Sequence, residues 1–394
     1  MNIICRRDIL SEALTPALCT VSMKGTNQVL DCFLLTADKE SGVLTVSGYD
    51  LEKGVKVTVS GEDIQIKQSG KIIINAAKFS SIIRNLPDGY VSVIAGADFS
   101  VTVSSSRSNF TMNGLDGETF PLMPELKGDM SFEIGRKILR SMISLTNFAV
   151  AQNNARPSLN GALFEIKDGG FNIVAVDGYR LALRRSSEGI TSDGEIELSF
   201  IVPGKSLSEL LKLIGEGDEP ASIELTRKHV IITFDNIVYF SRLIESEFLD
   251  YRRTIKSDPK TAVVINAQEF AESVERASLL ADDRQKSKVR LSFVKDGGSE
   301  GTLKVSSASL LGKVSDECGI TIEGDDLEIG FNHRYLLDAL KSVREEKILL
   351  TLESPTKSLV ILPYNEEAGG SLFAGADAES SKFLYLVLPL RLMD

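Results

Sequence analysis

Apolar and polar positions along this chain fall into a pattern that is written three times. Residues 29–57 (VLDCFLLTADKESGVLTVSGYDLEKGVKV), 159–185 (LNGALFEIKDGGFNIVAVDGYRLALRR) and 288–314 (KVRLSFVKDGGSEGTLKVSSASLLGKV) each read as an apolar strand, a Gly-containing turn, a second apolar strand, and a small or polar corner followed by Leu. Ser47, Asp177 and Ser306 mark the corner and lie about 130 residues apart, a domain length rather than a solenoid period. Helical stretches with apolar residues at 3–4 spacing keep the same beat. They precede each strand pair at 5–14, 135–148 and 266–280 and follow it at 75–86, 203–214 and 332–344, with Lys78, Lys205 and Arg334 at matching places. Nine segments in register predict one α+β domain built three times, over 1–126, 127–257 and 258–394.

Composition supports that division. A chain of 394 residues is too long for one core and suits three domains of ordinary size. An apolar fraction of 43% and a charged fraction of 25% belong to a soluble globular chain. No apolar run reaches the roughly 18–20 residues that a bilayer span needs, and MNIICRRDIL puts charge where a signal peptide carries its apolar core. The expectation is a cytoplasmic protein without membrane association. Cys5, Cys19, Cys32 and Cys318 are scattered without a CxxC pair and read as reduced, small hydrophobes.

Catalytic chemistry has few places to reside. The two histidines, His229 in a strand and His333 at a helix start, offer little to a His-based triad. The sequence holds no HExxH, Walker A loop, GxSxG elbow or GxGxxG after a strand. Gly169-Gly170 and Gly297-Gly298 read as hairpin turns. Carboxylates are numerous enough for an acid/base pair, as in a glycoside hydrolase, so that reading stays open. They fall mostly in turns, however, as at Glu62-Asp63, Asp282-Asp283 and Asp325-Asp326. No catalytic residue, metal site or cofactor is expected.

Charge is unevenly distributed. The net charge is −11, yet the six helical stretches hold thirteen Lys/Arg (Arg6, Arg7, Lys78, Arg84, Arg136, Lys137, Arg140, Lys205, Lys212, Arg276, Arg334, Lys341, Arg344) against seven Asp/Glu. If the helices line one surface, that surface attracts phosphates irrespective of base sequence. Two copies joined head to tail would place twelve helices around a closed ring. At about 9–10 Å per helix the opening is roughly 25 Å clear of side chains, wide enough for a duplex of roughly 20 Å. A structural ring whose basic helices bind no DNA is the other open reading.

The words VDGYRLAL (176–183), RLIESEFLDYRR (242–253), EIGFNHRYLLDAL (328–340) and LVLPLRL (386–392) carry a resemblance that runs end to end. The chain resembles the bacterial sliding-clamp family, the β subunits of replicative DNA polymerase III. The resemblance implies three repeated DNA-clamp domains, helices lining the inner face and antiparallel sheets outside, in a head-to-tail dimeric ring. Such a ring encircles double-stranded DNA without regard to sequence and performs no chemistry. The partners it implies are the polymerase III alpha subunit, a clamp loader complex that opens the ring, and other clamp-binding proteins that dock through short linear peptides.

The peptide pocket it implies comprises Arg156, Leu159, Val176, Gly178, Tyr179, Arg180, Leu181, Leu249, Arg253, Thr254, Asn332, Tyr335, Thr356, Ser358, Val387, Leu388, Pro389, Leu390 and Arg391. The DNA contacts it implies are Lys24, Lys78, Arg136, Lys137, Arg140, Asn153 and Lys205. Phe110 and Met112 are expected to meet Leu279 and Leu280 of a second copy where the ring closes. Leu249 replaces the family's usual proline, segment 365–382 is longer than the usual hairpin, and Met393 and Asp394 extend past the usual end.

Overall fold

The structure is a computed structural model that describes residues 1–21, 28–124, 126–167, 169–192, 194, 196–280, 288–366 and 370–392. Seven α-helices occur among the described residues: α1 (Arg7–Leu18), α2 (Ala76–Asn85), α3 (Arg136–Ser144), α4 (Gly204–Leu213), α5 (Tyr251–Ile255), α6 (Ala267–Ser278) and α7 (His333–Lys341). All except α5 answer to the six helical stretches read from the sequence. One device starts three of them. Asn75, Asn266 and Asn332 end a strand, and their side chains accept the backbone N–H of Lys78, Glu269 and Arg334, capping α2, α6 and α7. Lys205 and Arg334 stand two residues beyond the strand end and Lys78 three, so Lys78 is one place out of the match read from sequence.

The chain divides into two compact units. Unit 1 comprises residues 1–137, 190–193 and 205–243; unit 2 comprises 138–189, 194–204 and 244–394. Unit 1 holds a five-stranded antiparallel sheet in the order Ile64–Gln68, Asn2–Arg6, Tyr90–Ala95, Ser100–Ser105, Ser108–Asn113. Its second sheet has ten strands: Leu115–Asp116, Gly70–Asn75, Cys32–Asp38, Val43–Tyr49, Lys53–Val59, Ile237–Arg242, His229–Phe234, Pro220–Leu225, Met130–Gly135, Ile190–Thr191. Unit 2 holds one sheet of twelve: Leu198–Pro203, Gly161–Lys167, Gly170–Val176, Arg180–Ser186, Phe383–Val387, Leu359–Pro363, Lys347–Leu352, Thr261–Asn266, Gly312–Gly324, Glu300–Ser309, Lys288–Gly297, Leu327–Asn332. Alternation along the strands sends one face to the helices. Leu303 and Val305 are fully buried with Phe270 and Val274 of α6, and Val46 and Leu35 with Leu10 and Phe79 of α1 and α2, to within 1% exposure.

The long sheets contain two equivalent joints, one in each unit, where the fourth long strand of one repeat pairs with the last strand of the next. In unit 1, Val55 lies opposite Tyr239 and Gly54 opposite Phe240. A Cβ on Gly54 would sit 2.4 Å from the Phe240 ring, so only glycine admits that ring flat on the sheet. In unit 2, Ala182 lies opposite Tyr385 and Leu181 opposite Leu386. Tyr239 and Tyr385 are each third in their strand, fully buried, and donate their hydroxyls to the carbonyls of Ser206 (2.9 Å) and Ser342 (3.0 Å). Burial pushes the Tyr385 hydroxyl up to about 12.

The strands corresponding to a third joint lack such partners. Ser108–Asn113 is the edge of its sheet, and the 312–320 half of Gly312–Gly324 pairs on one side only among the described residues. Phe110 is third in the first and Val314 third in the second, the places of Tyr239 and Val55.

Two of the three corner positions differ from the sequence reading. Ser47 and Ser306 are not corners: they lie inside strands, opposite Lys56 and Ser315, because the ladders continue past them to turns at 50–52 and 310–311. Asp177 does sit at its turn. The connection 364–382 joins two strands where the other repeats use the two residues 106–107 and 235–236; its Leu372, Phe373, Ala376 and Ala378 pack on the core of unit 2. Gly169, Gly297 and Gly298 have φ of +72°, +131° and +62°, as hairpin turns require.

Candidate binding sites

Unit 2 gathers most of the expected pocket around the turn at 177–179. Gly178, at φ +95°, makes the turn. The Asp177 carboxylate accepts the backbone N–H of Tyr179 (2.8 Å) and Arg180 (3.1 Å) and receives the Arg180 Nε at 3.0 Å. Arg180 also pairs with Asp338 of α7, donates to the Phe148 carbonyl at 2.7 Å, and lies over the rings of Tyr335 (4.6 Å) and Phe148 (5.2 Å). Tyr179 stacks on Tyr335 with centroids 5.8 Å apart. The C-terminal run is stitched alongside: Leu388 N–H donates to the Tyr179 carbonyl and Leu390 N–H to that of Gly330, both at 2.8 Å.

Beneath the turn lies an apolar cluster of Leu159, Val176, Leu181, Val360, Leu386 and their neighbours, with Leu249 and Phe248 packed partly buried against it. Tyr179 and Leu388 stay 58% and 42% exposed, so an apolar wall remains open to a ligand. Arg156, Arg253, Thr254, Thr356 and Arg391 are exposed, and Arg253 pairs with Asp250. Ser358 and Pro389 are half-buried and Val387 is buried. Asn332 serves as the α7 cap. Met393 and Asp394 lie outside the described residues.

Arg180 therefore works as a tie between two carboxylates and two rings, not as a free rim charge. Arg180→Ala is expected to lower stability by about 3 kcal/mol, read by urea unfolding, because two carboxylates lose their shared cation. It is a poor probe of peptide contact alone.

The sequence reading missed a polar network under α5. Glu165 accepts from Tyr251 (2.8 Å), Asn172 (3.1 Å) and Arg252 (2.6 Å). Burial raises its pKa, but these donors outweigh burial and hold it below the usual value of 4.5. A depressed folded pKa stabilises above the unfolded pKa and fades as pH falls through the folded one. The stability gap between the native chain and Glu165→Gln is expected to be full at pH 7 and to close as pH drops below about 4. Ile244, Phe248, Tyr251 and Ile255, spaced at 3–4 residues, were the available signal that this segment packs on the apolar cluster.

The expected DNA contacts separate into three groups. Lys78 and Lys205 are exposed on α2 and α4 and hold no ion pair among the described residues, and Asn153 is exposed at φ +56°. Lys137 is exposed but pairs with Asp218, and Arg140 is half-buried. Arg136 is not available to DNA: it is 5% exposed, its Nε donates to the Glu219 carbonyl (3.0 Å), and its guanidinium pairs with Asp235 (2.6 Å) over the Phe234 ring. Its position at the start of a helix was legible; that it points into the sheet was not. Lys24 lies outside the described residues. The helix charge is also smaller in effect than its sum, since Arg6, Arg7, Arg276 and Lys341 are ion-paired as well.

At the two unpaired edges, Phe110 and Leu279 are 41% and 80% exposed, with Met112 and Leu280 half-buried. Leu279 follows its strand end by the same interval as Phe148, whose ring lies 5.8 Å from Tyr385 at the joint in unit 2. The four cysteines are unpaired, and burial raises the Cys5 thiol to about 11. No group of three or more His, Cys, Asp or Glu among the described residues is arranged to hold a metal ion. No helix among them is long and apolar enough to cross a membrane.

Comparison with known proteins agrees from end to end. Family models described as DNA polymerase III beta subunit match at residues 1–124 (N-terminal domain), 133–250 (central domain) and 252–372 (C-terminal domain). The chain is 31% identical to a beta sliding clamp of Halalkalibacterium halodurans over 95% of its own length and 99% of the relative's. With the Bacillus subtilis beta sliding clamp it is 29% identical, over 93% and 97%. Among solved structures, the Bacillus subtilis DNA polymerase sliding clamp superposes with a TM-score of 0.91 at 27% identity, covering 100% of both chains. A Pseudomonas aeruginosa sliding clamp bound to griselimycin superposes at 0.88 with 29% identity, again over 100% of both.

Proposed function

From the premise that this chain belongs to the DNA polymerase III beta subunit family, the beta sliding clamps, we propose that two copies close head to tail around duplex DNA through a third joint built like the two within the chain. The family's role is that of a non-catalytic processivity factor in DNA replication, and this chain has it. The observation that carries the ring is the pair of matched edges. Each internal joint buries an aromatic third residue, and the edge strand Ser108–Asn113 and the one-sided half of Gly312–Gly324 present Phe110 and Val314 at those places. Carrying the internal register across sets Phe110 opposite Val314 and Asn109 opposite Ser315 of the other copy. Phe110 then meets Leu279 as Tyr385 meets Phe148. Repeat boundaries at 1–126, 127–257 and 258–394 follow this reading, as does a place in the cytoplasm.

The test is covalent. Asn109→Cys with Ser315→Cys should cross-link oxidised chains into a species of about twice the 42.9 kDa of one chain, since directly opposed cross-strand residues have Cβ atoms roughly 5 Å apart. Absence of cross-linking, with the single variants as controls, would refute the register.

The peptide site is the wall around Tyr179, Leu249 and Leu388. It takes a short linear segment with aliphatic and aromatic anchors from the polymerase alpha subunit, the clamp loader and other clamp-binding proteins. DNA is met by exposed helix cations rather than by a specific grip. Reversing Lys78, Lys137 and Lys205 to Glu is expected to speed loss from DNA while the dimer persists. It should also flatten the dependence of retention on log salt, each lost phosphate contact removing about 0.9 from the slope.

A further inference from the structure

A basic depression on the third repeat has no counterpart in the other two, and we propose that it docks an acidic, extended segment of a partner protein. It is a cavity of about 540 Å³ lined by Lys288 and Arg290, by Lys304 with residues 306–308, and by residues 313–315 beginning at Lys313. These come from three adjacent strands of the unit 2 sheet. Lys304, Ser306 and Ala308 alternate with the buried Leu303 and Val305, so the depression opens on the face away from α6.

Register makes the contrast between repeats definite. Cys32, Gly161 and Lys288 occupy one position, each opposite the residue that ends the strand before a repeat's second helix. In the first repeat this face carries Cys32, Leu34 and Tyr49 in an apolar cluster closed by Phe120. In the second it carries Leu163, Val174, Val176 and Leu181, the floor of the peptide site. In the third, the places of Leu34 and Leu163 hold Arg290, and the places of Val174 and Val176 hold Ser306 and Ala308. An apolar groove has become a cationic one.

The cations are incompletely neutralised. No carboxylate lines the depression among the described residues. Arg290 pairs with Glu328 at 2.9 Å and Lys304 lies 4.0 Å from Glu317, whereas among the described residues the Lys288 ammonium meets only the Arg391 carbonyl (2.8 Å) and Lys313 has no ion pair. Asp316 faces the opposite side and pairs with Arg276. A second copy joined in the proposed register brings Asn109 and Thr111 alongside, both uncharged, so dimerisation would leave the charge in place. The cations span three strands, about 10 Å, which exceeds one phosphate and suits carboxylates on alternate residues of an extended chain. The hydroxyls of Ser306 and Ser315 can bond its backbone.

The test is fluorescence anisotropy of a fluorescein-labelled octaglutamate peptide with the whole protein at low salt. Saturable binding is expected, weakened at least about tenfold by Lys304→Glu with Lys313→Glu and partly by the Gln pair, with octalysine unbound. Lys78→Glu with Lys205→Glu should leave peptide affinity unchanged. Sedimentation and melting controls confirm that each variant stays folded and dimeric. Loss of peptide binding in the helix variant but not the sheet variant would overturn the proposal. So would displacement of the peptide by short duplex DNA together with weaker DNA retention in the sheet variant, which would make the depression a nucleic-acid contact. Either result leaves the ring reading untouched.

Discussion

Phe110→Asp is expected to sediment as a folded monomer at concentrations where the native chain is a dimer, and to be lost from circular DNA. Phe110 is on an edge strand and already 41% exposed, so its replacement leaves the monomer's core intact. In a closed joint it occupies the place of Tyr239 and Tyr385, both fully buried. Removing the ring and burying an unpaired carboxylate costs about 3–5 kcal/mol at each joint. A ring has two such joints, so the dissociation constant should rise by about four to seven powers of ten. Analytical ultracentrifugation reads the result directly, and a dimer of native affinity would show that Phe110 is not at the closing surface.

The second large effect concerns partners. Leu249→Ala with Leu388→Ala is expected to lower affinity for a peptide with aliphatic and aromatic anchors by about 30- to 1,000-fold, two truncated anchors at about 1–2 kcal/mol each. Polymerase stimulation should fall with it while dimerisation and DNA retention hold. Both side chains sit at the opening of the apolar cluster, and neither carries a hydrogen-bonded tie like that of Arg180. Full stimulation in this variant would place the peptide elsewhere.

The threefold plan was legible because it rests on periodicity. Alternating strands and 3–4 spaced helices repeat with the spacing of the joints, and the stretches read from 75, 266 and 332 begin at the Asn caps of α2, α6 and α7. The site was less legible, for reasons that particular residues show. Arg136 and Lys78 are both cations in the first turn of a helix, yet one is buried against Asp235 and Phe234 while the other is in solvent. That difference depends on strands about a hundred residues away. Arg180 and Asp338 likewise meet across 158 residues of sequence. Ser47 looked like a corner because it is small and polar, but the ladder decides where a strand ends, and Ser47 lies within it at 3% exposure.

Enclosure of DNA is tested most directly by cross-linking the Asn109→Cys, Ser315→Cys protein after it has been loaded on nicked circular DNA, and then raising the salt. The sealed protein should stay on the circle in salt high enough to screen every phosphate contact, and should fall off as soon as one cut linearises the DNA. Release from the intact circle, or retention on the linear product, would contradict a closed ring.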